Sequence, residues 1–275
     1  MFSISAYFYI LAFLLVPISF ALPQNNVQAK DSAYNGYGNS VFYELNLTWE
    51  PVAPNGHVRN AILMNGQFTG PALELNQGDN VEIVVNNNLP FAVTIHFHGI
   101  AQIGTPWSDG VPGISQRSIQ RGQSFLYHWT ATDYGTYWYH AVSSSLTPLC
   151  FSRILTTKQH ERGHIMDGLY GPIIIKPSAK EPTAFGMISN NTADIAAMLK
   201  AEANPNPMLV SDWMSFTSDE VIKLVKETGI DYFCMDSVLI NGKGQENCLS
   251  QDEINSLTNP ALLPILNGTT LTPKG

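Results

Sequence analysis

Charge is scarce in this chain, and what there is leans acidic. Only 13% of its 275 residues are Asp, Glu, Lys or Arg, and 14 basic against 22 acidic residues leave a net charge of −8 at pH 7. A surface of that sign repels phosphate backbones and anionic lipid, so no nucleic acid and no membrane is expected as a partner. Cysteine is rarer still: three residues cannot staple 275 into a disulfide scaffold. No glycine-rich phosphate loop and no G-x-S-x-G nucleophile elbow occurs. Long apolar runs are missing too. The one from about residue 6 to residue 16 is too short to span a bilayer.

That short run has another reading. It is the length of a signal-peptide h-region, and Ser19-Phe-Ala21 puts small residues at the −3 and −1 positions of a cleavage site. Residues 1–21 are therefore expected to be a secretory signal peptide, although only the α-amino group charges the n-region. Secretion to the outside of the cell follows as an expectation. Three sequons, at Asn46, Asn190 and Asn267, are compatible with a secreted glycoprotein.

What the chain does have is short strands. Alternating or β-branched runs at 41–49, 81–85, 91–98, 124–129, 137–140 and 171–176 are separated by Gly, Pro and Asn turns. Many short strands with such turns predict an all-β fold, an antiparallel sandwich or barrel. Residues 179–207, rich in Pro, Asn, Ala and Ser, read as a linker carrying one weakly amphipathic helix over 192–203. A second domain is expected from 208. Its Thr217-Ser-Asp-Glu220 is a capping box opening a helix that Gly229 ends. Cys234 and Cys248 flank a turn and could form a local disulfide or stay unpaired.

The chemistry starts at Thr94-Ile-His-Phe-His-Gly99. In a strand, residues two apart share a face, so His96 and His98 point one way and Phe97 the other. Two imidazoles held by backbone make a half-site for a transition metal. A pair of hydrogen-bonded structural histidines is the plainer alternative. Around this pair stand Asn65-Gly-Gln-Phe-Thr-Gly-Pro71, Gly78-Asp-Asn-Val-Glu-Ile-Val-Val85 and Gly104-Thr-Pro-Trp-Ser-Asp-Gly110. Further on come Tyr134-Gly-Thr-Tyr-Trp-Tyr-His140 and Asp167-Gly-Leu-Tyr-Gly-Pro-Ile-Ile-Ile175.

In that order, these motifs resemble the N-terminal part of a multicopper oxidase of the fungal laccase-like kind, from about Tyr43 to about Gly244. The resemblance implies a cupredoxin-like Greek-key β-sandwich over 35–178, followed by the start of a second, truncated cupredoxin-like domain over 208–275. It implies an enzyme coupling one-electron oxidation of a small reducing substrate, a phenol or a metal ion, to reduction of O2 to water. The cofactor it implies is copper. Eight histidines in four His-x-His pairs hold a trinuclear cluster, and the first domain supplies two of the pairs. His96 would serve the type 2 copper and His98 a type 3 copper. Asp109 stands where the family has an acid that orients water and helps deliver protons, or it is simply the turn residue before Gly110. The family's mononuclear type 1 motif and its last two histidine pairs are not found in this sequence. Alone, the chain is then expected to be incomplete as an oxidase. The alternative is a non-catalytic copper-binding or structural protein that completes its site with a partner chain.

The second histidine pair departs from the pattern. His140-Ala141 is followed by 18 residues, 142–159, before His160-Glu-Arg-Gly-His164 resumes it. Removing them gives His140-Ala141-His160, a His-x-His pair. A retained in-frame intron and a genuine surface insertion are the two readings of that run. With the run in place, His140 is expected beside His96 and His98, with His160 brought back by a closed loop. His57, His128 and His164 match no ligand position, and Cys150 lies within the inserted run.

Overall fold

The structure is a computed structural model and describes residues 39–142, 163–229, 235–245 and 256. The expected signal peptide, the run 143–159, His160, and all three cysteines lie outside the described residues.

Two four-stranded sheets face each other. The first is ordered β2 (Arg59–Met64), β1 (Ser40–Val52), β4 (Asn80–Asn87), β6 (Ser124–Thr130). The second is ordered β3 (Leu73–Asn76), β8 (Tyr170–Lys176), β7 (Gly135–Ala141), β5 (Ile95–His98). The core lies between them. Leu45, Leu47, Ile83, Val85, Tyr127 and Trp129 of the first sheet meet Leu73, Phe97, Tyr139, Ile173 and Ile175 of the second, all essentially without solvent contact. Alternation puts these residues inside: β1 buries Leu45 and Leu47 and turns Asn46 away. This is the all-β, cupredoxin-like sandwich expected.

Each sheet nonetheless contains one parallel pair, β1 with β4 and β3 with β8. After β2 the chain crosses to the second sheet for β3 and returns as β4. It comes back to β1 by a crossover, not by a hairpin, and so runs in the same direction. Two strands are not announced by sequence pattern. Arg59 and Asn60 open β2 with polar side chains, and β3 has only four residues. Its partner, β8, lies about a hundred residues further along the chain.

Beyond the sandwich, α1 (Phe185–Ile188) and α2 (Thr192–Ala203) bury no side chain. The second helix spans the residues expected, capped by the Asn191 side chain accepting from Ala193 N–H. Strands β9 (Val210–Trp213) and β10 (Ser237–Ile240) pair antiparallel. Trp213 and Leu239 bury themselves with Ala61 of β2, and Phe68 packs beside them. Helix α3 (Ser218–Thr228) carries the capping box at Thr217 and Glu220 and ends at Gly229 in the left-handed region, as its sequence reads.

Candidate metal centre

Strands β5 and β7 run antiparallel at one end of the second sheet, with His96 opposite His140 and His98 opposite Trp138. These four side chains form a square on the outer face. Phe97, between the two histidines, points inward and is fully buried, its ring edge-on to Tyr127 at 5.2 Å. It pegs the strand from behind, so the imidazoles are aimed by the core.

The three imidazoles converge. One ligand atom from each of His96, His98 and His140 can be chosen so that all lie within 4.8 Å of one another. Their hydrogen bonds decide which nitrogens are available. His96 Nδ1 lies 2.6 Å from the Asp109 carbonyl oxygen, and His140 Nδ1 lies 2.7 Å from that of Ala141. A carbonyl only accepts, so in both rings Nδ1 carries the proton and Nε2 the lone pair. His98 differs: its Nδ1 faces His140 Nε2 at 3.2 Å. Two nitrogens bound to one tetrahedral ion at ordinary metal–imidazole lengths lie about 3.3 Å apart. That spacing is a hydrogen bond between the two rings, and it is also the spacing of two ligands on one ion. Burial, and after it the neighbouring His96 and His98, draw the His140 pKa down against the pull of the Ala141 carbonyl. That favours the neutral form that ligates. An all-imidazole donor set is borderline in softness and fits copper.

Asp109 ends a single 3-10 turn, Pro106–Asp109, closed by Gly110 at φ 80°. A Cβ on Gly110 would lie 1.9 Å from the Ile95 carbonyl oxygen, so glycine lets the turn press against the β5 backbone. Ser108, fully buried, accepts the His128 N–H of β6 at 2.8 Å and pins the turn from its other side. Held this way, Asp109 offers His96 Nδ1 its carbonyl and, at 3.3 Å, its carboxylate. The shorter contact is the hydrogen bond. The carboxylate is about two-fifths exposed. Asp109 thus ends a turn and lies against His96.

Thus His96, His98, His140 and Asp109 come together, and His160 lies outside the described residues. The chain does return close by. Ala141 N–H donates to the Leu169 carbonyl, and Leu169 N–H to the His164 carbonyl. His164 itself is buried and stacked on Phe91 with ring centroids 4.6 Å apart. His128 sits in β6, and His57 in the loop before β2.

Sequence reasoning passed over three residues near or behind the site: Ser108, Trp138 and Arg59. Trp138 was legible in principle, since it sits two residues from His140 and so shares its face. Ser108 acts through a residue twenty positions away, and no local pattern marks it. Arg59 is buried against Asp167 at 3.0 Å and lies over the Trp213 ring at 3.5 Å.

Residues 46–180 match the family described as multicopper oxidase. Laccase abr2 of Aspergillus fumigatus is 49% identical over 236 residues, which is 86% of this chain and 37% of that protein. Multicopper oxidase CTB12 of Cercospora beticola is 44% identical over 239 residues, 86% of this chain and 35% of that protein. This chain therefore spans roughly a third of the length of these relatives. Among solved structures, the laccase from Botrytis aclada superposes with a TM-score of 0.55 at 26% identity, covering 81% of this chain and 33% of that one. Fet3p, described as a multicopper oxidase that functions in iron import, shares the fold with a TM-score of 0.54 at 24% identity, covering 74% of this chain and 33% of its own.

Proposed function

This chain belongs to the multicopper oxidase family, and from that premise we propose that it carries half of a trinuclear copper site in a secreted, laccase-like oxidase. The reaction is one-electron oxidation of a small reducing substrate, a phenol or a metal ion, coupled to reduction of O2 to water. His96, His98, His140 and His160 are the four ligands contributed here. The observation that carries this reading is the convergence of His96, His98 and His140, one ring nitrogen of each within 4.8 Å of the others, with His96 and His140 locked to present Nε2. The domain reading is part of the proposal: a first cupredoxin-like domain over 35–178, a linker over 179–207, and a second domain beginning at 208.

Copper, when bound, supplies the one-electron redox chemistry. The protein's own residues do the rest. The Asp109 carbonyl holds His96 by its Nδ1–H, and the Ala141 carbonyl does the same for His140, so neither ring can turn its lone pair away. In this reading the Asp109 carboxylate, beside His96 and partly exposed, helps deliver protons inward. With four ligands of eight, the chain by itself is expected to bind copper and not to turn over.

The test is copper retention by the purified chain. Wild type should bind copper weakly, with half the coordination falling to water, and His98→Ala or His140→Ala should lower that affinity at least tenfold. No phenol oxidation is expected from any of them. Retention unaffected by either substitution would sink the reading. The intron reading of 142–159 is decided separately, by sequencing cDNA across Ala141 and His160. A transcript lacking those codons upholds it.

A second reading rests on the openness of the site. His98 is exposed, so the imidazole face is free to be completed by a partner chain in a non-catalytic copper-binding protein. A copper-dependent change of sedimentation to the dimer would favour it.

A further inference from the structure

Three of the four corners of the outer square are imidazoles, and the fourth is an indole. His96 is held by the Asp109 carbonyl and His140 by the Ala141 carbonyl. Among the described residues His98 has no such holder, and the one polar group within hydrogen-bonding reach of its ring is His140 Nε2, itself a ligand atom. What does lie against the ring is Trp138, its cross-strand partner. The two planes are 26° from parallel with centroids 5.3 Å apart. The same indole lies 4.1 Å from the His140 ring, at 31°. One flat side chain therefore borders both members of the pair that is spaced to share an ion.

This matters because His98 uses the nitrogen less easily presented from an unsupported ring. Nδ1 is next to Cγ, so rotation about Cβ–Cγ alone decides whether it faces His140. A free imidazole on an exposed strand rotates about Cβ–Cγ through broad wells, and most of those orientations tilt the ring plane so that Nδ1 turns away from His140. A stacked indole restricts the ring plane at little cost in exposed polar surface.

We propose that Trp138 is the positioning residue for His98: its indole face holds the ring in the orientation that turns Nδ1 toward the ion shared with His140. The inference rests on the metal-centre reading of these histidines and adds to it a specific role for a residue that binds no metal.

The experiment uses the full chain loaded with Zn(II), which is diamagnetic, and long-range proton–nitrogen correlation spectra that identify which imidazole nitrogen is bound. Wild type should show His98 bound through Nδ1. Trp138→Leu keeps apolar bulk and removes the flat face. It should shift His98 to Nε2 binding or release it, with Zn(II) and Cu(II) affinity lowered about tenfold to a hundredfold. Trp138→Phe restores a flat ring and should return both Nδ1 binding and most of the affinity. A merely structural tryptophan would change the melting temperature of the variants without changing the bound nitrogen. Should Trp138→Leu not fold, Trp138→Met carries the same expectation. Retention of Nδ1 binding at wild-type affinity in the leucine or methionine variant overturns the proposal. Wild-type protein that binds no Zn(II) through His98 at all overturns instead the metal-centre reading beneath it.

Discussion

At His96 a backbone carbonyl decides what the ring can do, and one buried hydroxyl helps decide where that carbonyl is. Ser108 Oγ accepts the His128 N–H, and Gly110 lets the same turn touch β5. Replacing Ser108 with Ala leaves a strand N–H without its acceptor in a buried setting, which costs about 1–3 kcal/mol. The turn then loosens on the side away from His96. Ser108→Ala should lower stability in urea by that amount and weaken copper retention, while leaving the three histidines chemically intact. Unchanged retention at reduced stability would confine Ser108 to the fold. The contrast with His96 and His98 explains what was readable in advance. Their common face follows from the period of a strand, and Asp109 beside them from family pattern. Ser108 depends on which strand the turn meets in space, and residue spacing alone does not carry that information.

Among the elements, those with strong local rules were legible and those made by distant pairing were not. Helix α3 begins and ends where its sequence requires, because capping box and left-handed glycine are local devices. Thr217 accepts from Glu220 N–H, and the Glu220 carboxylate accepts from Thr217 N–H in return. Thr217→Ala removes one half of this exchange and should cost about 1 kcal/mol, measured as a shift of the denaturant midpoint with no change in slope. A full-size loss of cooperativity would mean that the cap also holds α3 against the sandwich. Strand β3 obeys no comparable rule. Leu-Glu-Leu-Asn is too short to declare itself, and it becomes a strand because Ile173–Lys176 lies alongside. In the same way, Arg59 disguised β2. A buried arginine reads as an exposed one until its partner is known.

That partner works at the scale of the molecule. The Arg59 guanidinium bonds Asp167 Oδ1, the carbonyls of Met214, Met166 and Asn60, and covers Trp213. Asp167 in turn accepts the backbone N–H and the hydroxyl of Ser218, at the first turn of α3. One buried ion pair thus ties β2 of the sandwich, the segment leading into β8, and the chain entering α3. Burial pushes the arginine pKa down and the aspartate pKa up, and each partner's charge opposes the other's shift. With nearly every donor and acceptor satisfied, the pair stays ionised. Removing one member leaves the other charged, buried and alone, so Arg59→Met or Asp167→Asn should each destabilise by about 3–5 kcal/mol. The double variant should cost less than the two single losses added, by about 1–3 kcal/mol, because the second substitution removes a charge the first had stranded. Strict additivity in that cycle would show that the two residues stabilise separate regions. A coupled result has a consequence for the metal centre. Asp167 lies two residues before Leu169, whose carbonyl receives the Ala141 N–H next to His140. Loss of the ion pair should therefore also weaken copper retention. The effect should be smaller than that of His140→Ala, because the Ala141 carbonyl still holds the ring.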